Sequence, residues 1–270
     1  VMDHRVRTSI IFVSRTKGTP DFEPFRDADF RLEPREISEE AIARAKVVHA
    51  SMWPLSREPA RSAVEKAFVL AQEQGKLISL DPNYSSRIWP DTREARQVIR
   101  HMMSYTTLTK PSLDDARRLF GEGQSPEHYN ARFHEMGPRV VVFTMGGAGM
   151  ILSVEGQQTF IPAQPVKVVD ATGAGDSFWA GFLMALLDGH PLERCVLFAR
   201  EIVGRKLARD DFQKRRLSRA VSAKEPHALA PVHLKAHAVQ HDAVLRKGFP
   251  DGGDVDVGHI VHLNELINLL

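Results

Sequence analysis

The densest concentration of residues able to do chemistry is Val169-Asp170-Ala171-Thr172-Gly173-Ala174-Gly175-Asp176-Ser177-Phe178. An apolar run ends, small residues and a threonine make a tight turn, and a helix is expected from about Asp176. Such a turn aims the N–H groups of Ala174, Gly175 and Asp176 at one point, backed by the positive end of the helix dipole. That arrangement is an anion hole suited to the oxygens of a transferring phosphoryl group, and losing one such donor costs about 3 kcal/mol at a transition state. Gly173 and Gly175 let the backbone approach a ligand closely. Asp176, at the helix start, is placed to accept a proton from an attacking hydroxyl. The plainer alternative is an ordinary strand-to-helix turn capped by its Asp. Neither GxxxxGK[ST] nor GxGxxG occurs.

The turn needs a scaffold, and the pattern upstream supplies one. Short apolar runs at 46–50, 76–80, 105–109 and 140–144 alternate with helical spacing at 58–74, 92–103, 113–120 and 126–136. This alternation predicts βαβ units and a mostly parallel sheet with helices on both faces, an α/β fold. Ser38 is a plausible N-cap for a short helix. Residues 150–154 and 158–161 flank Glu155-Gly156-Gln157 and read as an edge hairpin. Strands are expected at 6–14 and 166–169, with helices at 176–187 and 192–207. Phe22, Phe25 and Phe30 are spaced through a charged stretch that runs to about Arg35.

Composition narrows the function classes. The chain has 270 residues, 43% hydrophobic, with net charge +2 and a pI near 8.7. This length supports one large core, and the charge is far from the asymmetry of a dedicated nucleic-acid binder. The single cysteine, Cys195, excludes an internal disulfide and lies in an apolar stretch, as a buried structural thiol would. No apolar run reaches the roughly 18 residues of a membrane span, and the first residues lack a secretory core. The expectation is a cytoplasmic protein with no nucleic-acid or membrane partner.

With its continuation Ala180-Gly181-Phe182, the 170–178 segment resembles the C-terminal signature of the ribokinase-like (PfkB) carbohydrate kinases. Three upstream segments follow in the family's order. Asp81-Pro82-Asn83 with Arg87 and Trp89-Pro90 is similar to a fructokinase-like segment. Lys110-Pro111-Ser112-Leu113-Asp114-Asp115 stands where the family has Lys-Pro-Asn-x-x-Glu. Val141–Gly149 resembles its nucleotide strand. The resemblance covers about residues 6–207. It implies Asp176 as catalytic base, with Gly173, Ala174 and Gly175 in the anion hole. It implies Thr144, Gly146, Gly147 and Gly149 along ATP, and Lys110 and Ser112 near its phosphates. Asn83 and Arg87 would face the sugar or its carboxylate, and Asp115 would organise Mg2+ indirectly. Asp170 and Thr172 match positions near a site for a monovalent cation such as K+. For Asp115, the alternative is a plain acidic residue in a first helical turn; for Arg87, a surface arginine.

The implied function is ATP-dependent phosphorylation of a sugar hydroxyl, fructokinase-like, with 2-keto-3-deoxygluconate kinase as the neighbouring reading. An inactive relic that only binds nucleotide or a partner subunit is the reading from another class. Ser112 and Asp115 replace the family's Asn and Glu, and the family's opening strands have no counterpart here. Residues 1–207 are therefore expected to be an N-terminally incomplete kinase core, with 1–35 the remnant of a lid and homodimerisation open. Residues 208–270 are an atypical tail. Within it, His233, His237 and His241 share a helical face, and 206–219 are basic; a solvated charged segment is the plainer account of the latter.

Overall fold

The computed structural model describes residues 5–14, 21–207 and 260–262. The histidine triplet and most of the basic run lie outside them. Two cores sandwich one mixed sheet. Strands β3 (Val47–Ser51), β4 (Leu77–Asp81), β5 (Leu108–Thr109) and β6 (Val140–Thr144) run parallel, and β7 (Met150–Val154) and β8 (Gln157–Ile161) add antiparallel beside β6. The spatial order is β8-β7-β6-β5-β4-β3, with β9 (Ile260–His262) parallel to β3 at its outer edge. The expected mostly parallel α/β sheet is thus present, covered on both faces.

Strand alternation explains the two layers. Val141, Phe143 and Ile151 point into one core with Phe68, Ile99, Leu119, Tyr129 and Phe133. Val142, Met150 and Leu152 point into the other with Phe178, Trp179, Phe182 and Val196. The first layer holds α1 (Glu39–Arg44), α2 (Ala60–Glu73), α3 (Thr92–Met103), α4 (Leu113–Phe120) and α5 (Pro126–His134). The second holds α6 (Ala174–Leu187) and α7 (Leu192–Leu207). Cys195 is buried there, as its apolar surroundings imply, and burial pushes its thiol up to about 11.

Local chemistry fixes the helix starts. Ser38, Asp91, Ser112 and Ser125 each accept a backbone N–H of the first turn. The helices at 92–103, 113–120 and 192–207 keep the boundaries their periodicity predicts. Strand β5 is shorter than expected because Tyr105 and Thr106 close the turn after α3 through bonds to Met102 O and Met103 O.

Three differences have physical causes. The strand expected at 166–169 is absent: Pro162 and Pro165 have no N–H, and no described strand pairs with the segment. Its anchor is Val169 N–H donating to Leu207 O at 2.9 Å. At the N-terminus, β1 (Ile10–Ser14) does have a partner, β2 (Asp21–Phe25), in an antiparallel pair separate from the main sheet. That partner lies in the stretch whose charges mask a strand. Finally, part of the tail joins the sheet: residues 260–262 pair with the edge of β3.

Candidate phosphoryl-transfer site

The candidate residues gather at one end of the parallel strands, where α/β sheets bind ligands. Asp81 ends β4, Lys110 follows β5, Thr144 ends β6, and the turn at 170–176 opens α6. Lys110 Nζ lies 3.0 Å from Asp81 Oδ2, with both side chains under a tenth exposed. The same ammonium reaches the head of α6, where a Cβ on Gly175 would stand 3.2 Å from it.

Charge in this cluster is unbalanced. Burial pushes the Asp81 carboxyl up to about 6; Lys110 opposes that shift, and the carboxylates of Asp115 and Asp176 add to it. Burial by itself would lower the Lys110 ammonium, but attraction to Asp81, Asp115 and Asp176 outweighs it and holds the group above its ordinary value. Three carboxylates around one buried ammonium leave an excess of negative charge, so Lys110 stays charged and Asp81 is the group that yields.

Asp115 is buried and fully committed. Its Oδ2 accepts from Ser112 N at 2.9 Å and Ser112 Oγ at 2.6 Å, and its Oδ1 accepts from Tyr84 N at 2.7 Å. Ser112 Oγ accepts in return from Asp115 N, completing a capping box. The pair thus fastens the head of α4 to the loop after β4. No group of three or more metal-ligating side chains occurs among the described residues.

At the 170–176 turn, Gly173 takes the left-handed conformation (φ 71°) as N-cap of α6. Ala174 N–H, one of the amides expected to face an anion, donates to Ala171 O at 3.1 Å and closes the turn. Among the described residues, the N–H groups of Gly175 and Asp176 have no protein acceptor. Both residues are exposed, so the open donors and the Asp176 carboxylate face solvent together. The helix begins two residues before the expected start because Gly173 caps it.

The residues expected near K+ surround a lysine ammonium. Asp170 and Thr172 do come together, with Thr172 N–H donating to Asp170 Oδ1 at 2.9 Å. Their carbonyls, however, both accept from Lys206 Nζ, that of Asp170 at 3.1 Å. An ammonium thus fills the point where these two carbonyls converge.

The remaining predicted residues separate by role. Thr144 joins β6 to the Lys110 loop, its N–H donating to Pro111 O at 2.9 Å, and pairs with Ser112 as an isolated bridge. Gly146 and Gly147 have open space where a side chain would go. Gly149 has φ 103°, and a Cβ there would meet Ile161 O at 2.7 Å, so it is a structural glycine. Asn83 is exposed in the left-handed region (φ 33°), with its N–H on Asp81 Oδ1 at 3.2 Å. Arg87 pairs with Glu23 of β2 at 2.6 Å, tying the N-terminal strand pair to this end of the sheet. Sequence reasoning missed Asp81 as a charged partner and Lys206 as a site residue. An acid ending the buried run 77–80 was the available signal for the first; for the second there was none.

An open α/β sheet bearing exposed amides and a carboxylate at a helix head, with a buried lysine beneath them, is an arrangement able to hold a phosphate group. Residues 1–204 match the pfkB family of carbohydrate kinases, and the chain belongs to that family. It is 37% identical over 188 residues to the ATP-dependent 6-phosphofructokinase of Thermoanaerobacterium thermosaccharolyticum, covering 69% of this chain and 58% of that one. It is 31% identical over 209 residues to fructokinase-1 of Oryza sativa, covering 74% and 65%. Among solved structures, the fructokinase of Halothermothrix orenii superposes with TM-score 0.62 at 39% identity, over 78% of this chain and 70% of that one. An Escherichia coli protein assigned as a ribokinase II, solved with ATP and Mg2+, gives TM-score 0.65 at 26% identity, over 74% and 64%. The chain spans about three fifths of the length of these curated relatives. No described helix is long and apolar enough to cross a membrane.

Proposed function

We propose that this chain carries the phosphoryl-transfer centre of an ATP-dependent sugar kinase acting on a fructose-type acceptor. The observation that carries this reading is the pair of unfilled N–H groups at Gly175 and Asp176, beside an exposed carboxylate and backed by Lys110. Developing charge on a migrating phosphoryl group is stabilised by preorganised donors, while a carboxylate at the same helix head takes the acceptor's proton. Mg·ATP is the donor substrate, in keeping with the ATP and Mg2+ found in the E. coli relative. The named relatives include fructokinases and a 6-phosphofructokinase, which makes fructose and fructose 6-phosphate the first acceptors to test. A sugar acid such as 2-keto-3-deoxygluconate gains less support, because Arg87 is paired with Glu23.

The deciding experiment is a coupled assay of ADP release with fructose, fructose 6-phosphate and 2-keto-3-deoxygluconate. Turnover on one of the first two that disappears in Asp176→Asn is the expected result. Nucleotide binding without turnover on any acceptor overturns the enzymatic reading.

A further inference from the structure

The last turn of α7 places Lys206 across the 170–172 turn. Its ammonium donates to Asp170 O at 3.1 Å and to Thr172 O. One residue on, Leu207 O accepts from Val169 N–H at 2.9 Å. The C-terminal end of α7 is thereby stitched to both sides of the strandless segment that delivers α6. A cation is favoured at that end of a helix.

Two backbone carbonyls converging on one point are also how proteins strip and hold potassium. Here the charge arrives on a side chain. Burial draws the ammonium below its ordinary range, while Asp170 and Asp176 pull the other way, so it lies within electrostatic reach of the carboxylate at the head of α6. Lys110 stands against Gly175 in the same turn, so the 170–176 segment is held between two lysines. Displacing Lys206 would leave the Asp170 and Thr172 carbonyls aimed at a vacated, partly buried point, where a monovalent ion of similar size would be the natural replacement.

We propose that Lys206 is a tethered substitute for a diffusible monovalent cation, making the 170–176 turn independent of potassium. Lys206 is a positioning residue: it fixes the carbonyl side of the turn whose amide side faces the ligand. This role takes its functional meaning from the proposed phosphoryl-transfer centre, but the exchange of ammonium for ion is measurable without turnover.

The test compares the thermal midpoint of the full 270-residue chain in KCl, NH4Cl, LiCl and tetramethylammonium chloride at constant ionic strength. MgADP binding is measured by calorimetry in the same salts. Wild type is expected to give one midpoint in all four. Lys206→Met is expected to be lower in Li+ and tetramethylammonium, and to recover by about 2–4 °C in K+ or NH4+. If Lys206→Met does not fold, Lys206→Gln, which keeps a polar head without charge, is run identically. A merely structural loss would not respond to which cation is present. Selective stabilisation of wild type by K+ overturns the proposal without needing any variant, and so does a folded Lys206 variant indifferent to the cation. Failure of wild type to bind MgADP in any salt would remove the kinase reading, while the midpoints would still decide the role of Lys206.

Discussion

A Cβ placed on Gly175 would stand 3.2 Å from the Lys110 ammonium nitrogen, so the head of α6 and the lysine after β5 are in contact. That spacing is tighter than ordinary carbon–nitrogen contact, and the lysine has little room to retreat because it is buried against Asp81. Gly175→Ala should therefore displace either the ammonium or the turn by a few tenths of an ångström. Phosphoryl transfer depends on fixed donors, and the expected effect is about a tenfold or greater fall in kcat/KM with little change in midpoint. Steady-state kinetics beside thermal unfolding checks it; unchanged kinetics would mean that the amides at 175 and 176 do not serve catalysis.

Asp176→Asn separates chemistry from stability. The side chain is exposed at the helix head, so its neutralisation forfeits a favourable dipole interaction of about 0.3–1 kcal/mol together with part of the attraction on the Lys110 ammonium. If it takes the acceptor proton, kcat should fall by about 10²–10⁴-fold while MgADP affinity is retained. A variant that unfolds, or one that keeps its turnover, would each contradict the assignment.

Lys110→Met should cost stability in a pH-dependent way. Removing one partner of a buried ion pair leaves an uncompensated charge, worth about 3–5 kcal/mol. The Asp81 carboxyl is raised to about 6 against an ordinary 3.8. Within that window the folded chain keeps a proton the unfolded chain has released, so stability falls as pH rises through it. Without the ammonium the window moves further up. The deficit of Lys110→Met is therefore expected to be larger at about pH 7.5 than at about pH 5, and Asp81→Asn in the same chain should recover much of it. Urea unfolding of the single and double variants at both pH values reads this directly. A pH-independent deficit would show that Asp81 is not the group left stranded.

Gly147 and Gly149 are expected to part company. Space is open around Gly147, whereas Gly149 combines φ 103° with a backbone oxygen 2.7 Å from any Cβ. Gly149→Ala should destabilise by about 1–3 kcal/mol from strain at that conformation, with added cost from the clash. Gly147→Ala should leave unfolding unchanged and weaken nucleotide binding if that loop lines ATP. Urea midpoints and MgADP calorimetry on the two variants distinguish a structural glycine from a ligand-facing one.

The sheet was legible because its signal is local: the buried run 140–144 and the amphipathic 113–120 each declare their type within a few residues. The head of α6 was legible because small residues, a helix start and a carboxylate sit within ten positions. What escaped depends on partners distant in sequence. Val166–Val169 has strand composition, but no described strand pairs with it, and β-propensity does not form a strand alone. Lys206 looked like one member of a basic run, and only the return of α7 beside residue 170 gives it a role. For Arg87 the sequence left a sugar-facing group and a surface arginine both open, and only the fold brings Glu23 of β2 to it.

Ser79 tests how far the site depends on the sheet beneath it. Its hydroxyl accepts from the Trp179 indole at 2.8 Å and lies 2.9 Å from His49 Nδ1, joining β3, β4 and α6 inside the second core. All three side chains are buried. Ser79→Ala removes no volume worth a cavity but strands the indole N–H, one turn past Asp176, and takes a partner from His49. Each buried polar group left unsatisfied costs about 1–3 kcal/mol. Because Trp179 also stacks on Phe182 at 4.7 Å, relaxation at the indole would carry the first turn of α6 with it. The expected outcome is a lowered midpoint together with weaker MgADP binding, and Ser79→Thr should restore much of both by returning the hydroxyl. Loss of stability with unaltered nucleotide affinity would show that the head of α6 is held by Lys110 and Lys206 alone.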